Sequence, residues 1–195
     1  MTDRTVLGLL RHGQTDWNID FRLQGVTDIP MNETGIAQAR AAAMRINRAD
    51  WDVILTSPLS RARQTAEIVA EIAGFEKTAL EIEPLLLERS FGKAEGMTHA
   101  EWKSNFGETL ADGDESLKDL EIRTGLLLET LATTYAGARV LAVSHGALIR
   151  QVLSSVSFGA LPPAGERISN ACLNRFAYTA EQGWHLVEYA PQPLS

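Results

Sequence analysis

Short apolar runs alternate with longer helical stretches along this chain, and that alternation limits its fold more than any other feature. Residues 6–10 read as a short buried strand that stops at Arg11-His12-Gly13. Similar runs centre on Val53-Ile54-Leu55 and on Val140-Leu141-Ala142-Val143. Residues 79–87 are apolar with alternating glutamates and read as a further strand running into a loop. Between these runs lie residues 33–47, 57–73 and a stripe of Leu117, Leu120, Thr124, Leu127, Leu128 and Leu131, all with helical character. A helix opened by His145-Gly146 extends to about residue 154. Strands alternating with helices predict an α/β fold with a mostly parallel sheet. Two last strands, near 171–179 and 184–189, are joined by a turn at Glu181-Gln182-Gly183, so the sheet is mixed. We expect a three-layer sandwich with helices on both faces.

Local signals give the boundaries. Asn32 reads as an N-cap, and Ser57-Pro58 reads as an N-cap followed by the first helical residue. Gly74 stops that helix, and Asp114 or Ser116 caps the long one. Residues 16–31 read as a long loop holding Trp17, Phe21 and Leu23. Residues 89–113 are interrupted by glycines at 92, 96, 107 and 113. They read as an irregular insertion with one short helix near 98–105, placed to cover the strand ends as a lid. Without repeats or linkers, residues 1–195 form one domain.

Composition excludes several classes of function. A formal net charge of −7 argues against a nucleic-acid surface. A few arginines can still focus positive potential in one cleft. The single cysteine, Cys172, allows no intrachain disulfide. The five-residue apolar run near the N-terminus is too short for a secretory signal, and no run approaches a membrane span. The expectation is a soluble cytoplasmic protein with no membrane partner.

Parallel strands bring their C-terminal ends to one side of a sheet, where such folds bind ligands. Those ends deliver Arg11 and His12, then Ser57 leading to Arg61, then Glu88, then His145. An arginine fork matches phosphate oxygens, and a neutral imidazole is a competent nucleophile. Arg11, Arg61 and His145 could compensate phosphate charge, His12 could attack in line, and Glu88 could protonate a leaving alkoxide if burial keeps it protonated. Two histidines and a carboxylate could also hold a metal, but two arginines would repel a cation. Glu95 is the competing acid; its place in the irregular insertion reads as solvated, whereas Glu88 follows Leu85-Leu86-Leu87. Arg63, two positions from Arg61, faces elsewhere.

These residues carry a family resemblance over most of the chain. Leu10-Arg11-His12-Gly13-Gln14-Thr15 with Trp17-Asn18 resembles the signature of the histidine phosphatase superfamily, the phosphoglycerate mutase-like proteins. The segments 57–66, Glu88 with Phe91-Gly92 and Glu95-Gly96, 113–117 with Arg123, and Val143-Ser144-His145-Gly146 with Ile149-Arg150 are similar to its later motifs, in its order. The resemblance implies that His12 is the phospho-accepting nucleophile, that Arg11, Arg61 and His145 clamp the phosphoryl group, and that Glu88 is proton donor and then base. It implies a phosphate and substrate pocket with Thr15, Asn18, Gln24 and Gly25, joined by Gly146 of the second histidine motif, and no metal or cofactor. The partner would be a small phosphorylated substrate; a homodimer stays open.

The family's glycolytic mutases carry a long insertion with paired arginines between the acid and the second histidine. Here the interval from Glu88 to His145 is short, and the chain has no Arg-Arg pair. This favours a phosphomonoesterase over a cofactor-dependent mutase or a phospho-ligand-binding protein without turnover. The insertion is more aromatic than basic, which allows an uncharged leaving group.

Overall fold

The computed structural model describes residues 4–76, 79–107, 109 and 111–194. Six strands form one sheet in the order β3-β2-β4-β1-β5-β6. They are β1 (Thr5–Arg11), β2 (Val53–Thr56), β3 (Leu80–Ile82), β4 (Arg139–Ser144), β5 (Leu173–Thr179) and β6 (Gly183–Glu188). β1, β4, β2 and β3 run parallel, β5 runs antiparallel to β1, and β6 antiparallel to β5. The mixed, mostly parallel sheet therefore follows the sequence expectation, including the closing hairpin.

Strand period two divides the core into two halves. Leu7, Leu9, Leu55, Val140 and Ala142 pack under α5 (Leu117–Thr134) and α6 (Gly146–Val156). Leu10, Ile54, Leu141 and Val143 pack under α2 (Glu33–Arg45) and α3 (Ser60–Ala73), together with Trp51. Two short helices complete the set, α1 (Asp16–Ile19) and α4 (His99–Phe106). Among the described residues, no helix is long and apolar enough to cross a membrane.

Three local expectations need correction. Residues 16–31 are not all loop, because Thr15 and Asn18 form a reciprocal capping box that starts α1. Residues 79–87 do hold a strand running into irregular chain, but the strand is short: β3 ends at Ile82 and Pro84 opens a single 3₁₀ turn, Pro84–Leu86. Ser57 does not cap α3. That helix begins at Ser60 behind Leu59, which makes no side-chain cap. Asp28 from the preceding loop takes the capping role, its carboxylate accepting from the Ser60 N–H and hydroxyl at 2.7 Å each. The other caps stand as read: Asn32 accepts from the Gly35 N–H at 2.9 Å, Ser116 caps α5, and Gly74 ends α3 in the left-handed conformation. Within the insertion, Glu108 and Leu110 lie outside the described residues.

Candidate active site

β1 and β4 lie side by side with Arg11 opposite Ser144, so the two strand ends open at one point. Beyond them lies a cleft of about 800 Å³. Arg11, His12, Asn18, Gln24, Gly25, Arg61, Glu88 and Gly146 all line it. Eight of the ten residues expected at the site thus converge on one space.

His12 is 2% exposed. Its Nδ1 lies 2.7 Å from the Gly13 carbonyl, which can only accept, so Nδ1 carries the proton and Nε2 keeps its lone pair. Burial, then Arg61 and Arg11, holds the His12 pKa well below the ordinary histidine range. A neutral imidazole with a free Nε2 is the form a nucleophile requires. The turn that delivers it is tight. A Cβ at Gly13 would fall 2.3 Å from the Gly35 carbonyl oxygen, so only glycine lets the start of α2 approach this closely.

Arg61 lies in the first turn of α3 and is fully buried. Its Nη1 and Nη2 donate to the carbonyls of Thr27 (2.9 Å) and Gly25 (2.7 Å), and its Nε donates to His145 Nδ1 (3.3 Å). Each terminal nitrogen keeps one N–H for a ligand. Arg11, on the α6 side, donates to the Ile168 carbonyl, and its Nε is buried without a partner. Burial lowers the pKa of both guanidinium groups, with Glu88 the leading opposing influence.

His145 and Thr15 stand behind the lining rather than in it. His145 is fully buried, 5.1 Å from His12 between ring centroids. Its Nε2 meets the Ser57 hydroxyl at 2.8 Å while Nδ1 accepts from Arg61, so both ring nitrogens are engaged inside the protein. Burial, followed by Arg61, holds its pKa well below the ordinary range. His145 therefore meets Arg61 on one ring nitrogen and Ser57 on the other. Thr15 is likewise buried and donates to Gln24 Oε1 at 2.9 Å.

Glu88 is half-buried, less than the sequence reading required. Its carboxylate accepts from Ala147 N (3.1 Å) and Leu148 N (3.2 Å) at the start of α6, and from Arg89 N (3.0 Å). Arg123 of α5 fixes the approach to it, donating to the Leu85 and Leu87 carbonyls while Glu115 holds its guanidinium at 2.7 Å.

Glu95 is not solvated. Its carboxylate accepts from Val26 N (3.0 Å), Thr27 N (2.8 Å), Phe91 N (3.1 Å) and the Thr27 hydroxyl. The same turn gives Arg61 its two carbonyls. A Cβ at Gly25, where φ is +53°, would fall 1.9 Å from Glu95 Oε1. Glu95 is thus spent on holding the turn that holds Arg61.

Sequence reasoning assigned no site role to several lining residues: Gln14, Arg22, Phe91, His99, Arg150, Arg167 and Asn170. Arg22, Arg150 and Arg167 make the rim basic although the insertion itself is not. The insertion's composition is therefore not the composition of the cleft. Among the described residues, no three His, Cys, Asp or Glu side chains gather as a metal-holding group.

The sequence model of the histidine phosphatase superfamily (branch 1) matches residues 7–191. An uncharacterized phosphatase PhoE of Bacillus subtilis is 37% identical over 185 residues, covering 95% of this chain and 94% of that protein. A probable phosphoglycerate mutase GpmB of Photorhabdus laumondii is 34% identical, covering 87% and 83%. A phosphoserine phosphatase of Entamoeba histolytica, solved with phosphoserine, superposes with a TM-score of 0.78 at 27% identity, covering 94% and 95%.

Proposed function

The chain belongs to the histidine phosphatase superfamily, and from that premise we propose that it is a metal-independent phosphoric monoester hydrolase working through a phosphohistidine at His12. The observation that carries this reading is the His12 ring itself: Nδ1 is fixed on the Gly13 carbonyl and Nε2 is left free toward the cleft. In the first step Nε2 forms a bond to phosphorus as the bond to the substrate alcohol breaks. Glu88 supplies a proton to the departing oxygen. In the second step water attacks the phosphohistidine, Glu88 takes its proton, and inorganic phosphate leaves with His12 restored. The remaining N–H groups of Arg11 and Arg61 bind the phosphoryl oxygens, and His145 keeps Arg61 aimed. This positioning and charge compensation is most of what phosphoryl transfer needs.

Asn18, Gln24, Gly25 and Gly146 complete the phosphate and substrate pocket, with Thr15 holding Gln24 in place. The segment 89–113 serves as the cover of the cleft: its Phe91 and His99 line it, and Leu23 and Met97 are joined across the seam by a 2.8 Å backbone hydrogen bond. The buried Cys172, its thiol pushed up to about 11 by burial, is inert and fits a cytoplasmic location.

The mutase-named relative keeps a second reading in play. The test of both is one assay: phosphate release from phosphomonoesters and 3- to 2-phosphoglycerate conversion, each with EDTA present. Phosphate release that survives EDTA and far exceeds isomerisation is expected. Isomerisation primed by the bisphosphate and faster than hydrolysis would establish the mutase instead, and activity lost to EDTA and restored by magnesium or zinc would remove the metal-independent mechanism.

A further inference from the structure

The cleft holds more positive charge than one phosphoryl group can use. Arg11 and Arg61 reach its floor, while Arg150 and Arg167 line it elsewhere. Of the further arginines on the lining, Arg22 is paired with Asp20 at 3.5 Å. Arg150 and Arg167 have no carboxylate within 4 Å among the described residues.

Their surroundings explain why. Glu166 offers Arg150 its backbone carbonyl, while its carboxylate accepts from the Tyr189 hydroxyl. Arg167 rests on the Phe21 ring, 4.4 Å from its centroid, which orients the guanidinium without neutralising it. Phe21 itself is 60% exposed, so this pair stands at the mouth of the cleft.

Both arginines also lie away from the nucleophile. Arg150 is one helical turn along α6 from Gly146, on the same face. Arg167 is three residues before Asn170, which bonds the His12 carbonyl, a reach of up to about 10 Å. Exposure gives the same order: His12 and Arg61 are buried, Arg150 is half-buried and Arg167 is exposed.

We propose that Arg150 and Arg167 form a second anion subsite, and that the substrate is a phosphomonoester whose leaving alcohol carries another anionic group, a carboxylate or a second phosphate. This rests on the phosphatase reading of the same cleft. The subsite determines which alcohol is accepted; it takes no part in the bond changes at phosphorus.

The test compares 3-phosphoglycerate with glycerol 3-phosphate, which puts a neutral hydroxymethyl where the first has a carboxylate. Glycerol 1,3-bisphosphate supplies the phosphate arm. We expect at least one of the two anionic-tailed substrates to exceed glycerol 3-phosphate in kcat/KM by about 10-fold or more, as for hydrogen bonds to a charged group. In Arg150→Gln/Arg167→Gln that ratio should collapse toward one, and in Arg150→Lys/Arg167→Lys it should recover in part. Dissociation constants measured with His12→Ala should show the same preference without turnover. Hydrolysis of all three with equal kcat/KM would overturn the subsite and leave the phosphatase standing. A binding preference that is lost in the Gln variants, in a protein that hydrolyses none of them, would uphold the subsite and overturn the phosphatase.

Discussion

The floor of the cleft and its rim are built by opposite means. On the floor, His12 and Arg61 are at most 2% exposed, and every nitrogen that is not aimed at a ligand is tied to a backbone carbonyl or to His145. At the rim, Phe21, Arg22 and Arg167 are exposed and belong to loops. Floor groups are in place before a substrate arrives, so no reorganisation is needed when charge develops at phosphorus. Rim groups are free to vary without disturbing the sheet. Under the proposed function the contrast places chemistry at the floor and substrate choice at the rim.

Substitutions can break or sharpen that division. The largest effect is expected at the nucleophile. His12→Ala should lower kcat/KM by about 10⁴-fold or more on every ester, as covalent nucleophiles do. Residual turnover within tenfold of the parent would move the chemistry elsewhere.

Glu88→Gln comes next and sharpens the comparison by leaving group. General acids contribute about 10²- to 10⁴-fold. Single-turnover phosphorylation by alkyl phosphates should lose much of that factor, and by nitrophenyl phosphate far less. Equal losses would remove Glu88 from the acid role.

Glu95→Gln tests the floor through its supports. The amide would turn an N–H toward donors that now meet a carboxylate, loosening the turn that holds Arg61. We expect kcat/KM to fall about tenfold, equally for alkyl and aryl esters. A loss confined to alkyl esters would make Glu95 an acid after all.

The smallest effect is thermodynamic. His12 and His145 have folded pKa values well below their unfolded value near 6.5. As pH falls through 6.5 the unfolded chain binds protons that the folded protein refuses. Stability should therefore drop on acidification, by up to about 1.4 kcal/mol per pH unit for each histidine. Urea midpoints at pH 7 and 5.5 read this directly, and His145→Gln should roughly halve the slope. A flat profile would mean that the floor is open to solvent.

Much of the fold is legible in the sequence, and the misreadings have separate physical causes. The strand Arg139–Ser144 is legible from its centre, Val140 to Val143, because a fully buried parallel strand is nearly all apolar. Asn32 and Ser116 were legible because a cap acts within three residues. Ser57 was misread because its hydroxyl serves His145, 88 positions away, which no local pattern encodes. The strand within 79–87 ends before Pro84, a breaker inside an apolar run. At the site, strand ends announced the floor. The rim residues Arg22, Arg150 and Arg167 come from three separate segments and meet only through the tertiary fold, so their joint charge had no signal in the chain.

The central claim is that His12 carries the phosphoryl group. Rapid-quench labelling with a ³²P-labelled phosphomonoester tests it most directly. The account predicts an acid-labile, base-stable phosphoenzyme in the parent, mapped to the peptide containing His12 and absent from His12→Ala. Labelling that persists undiminished in His12→Ala, or a label on another residue in the parent, would contradict it.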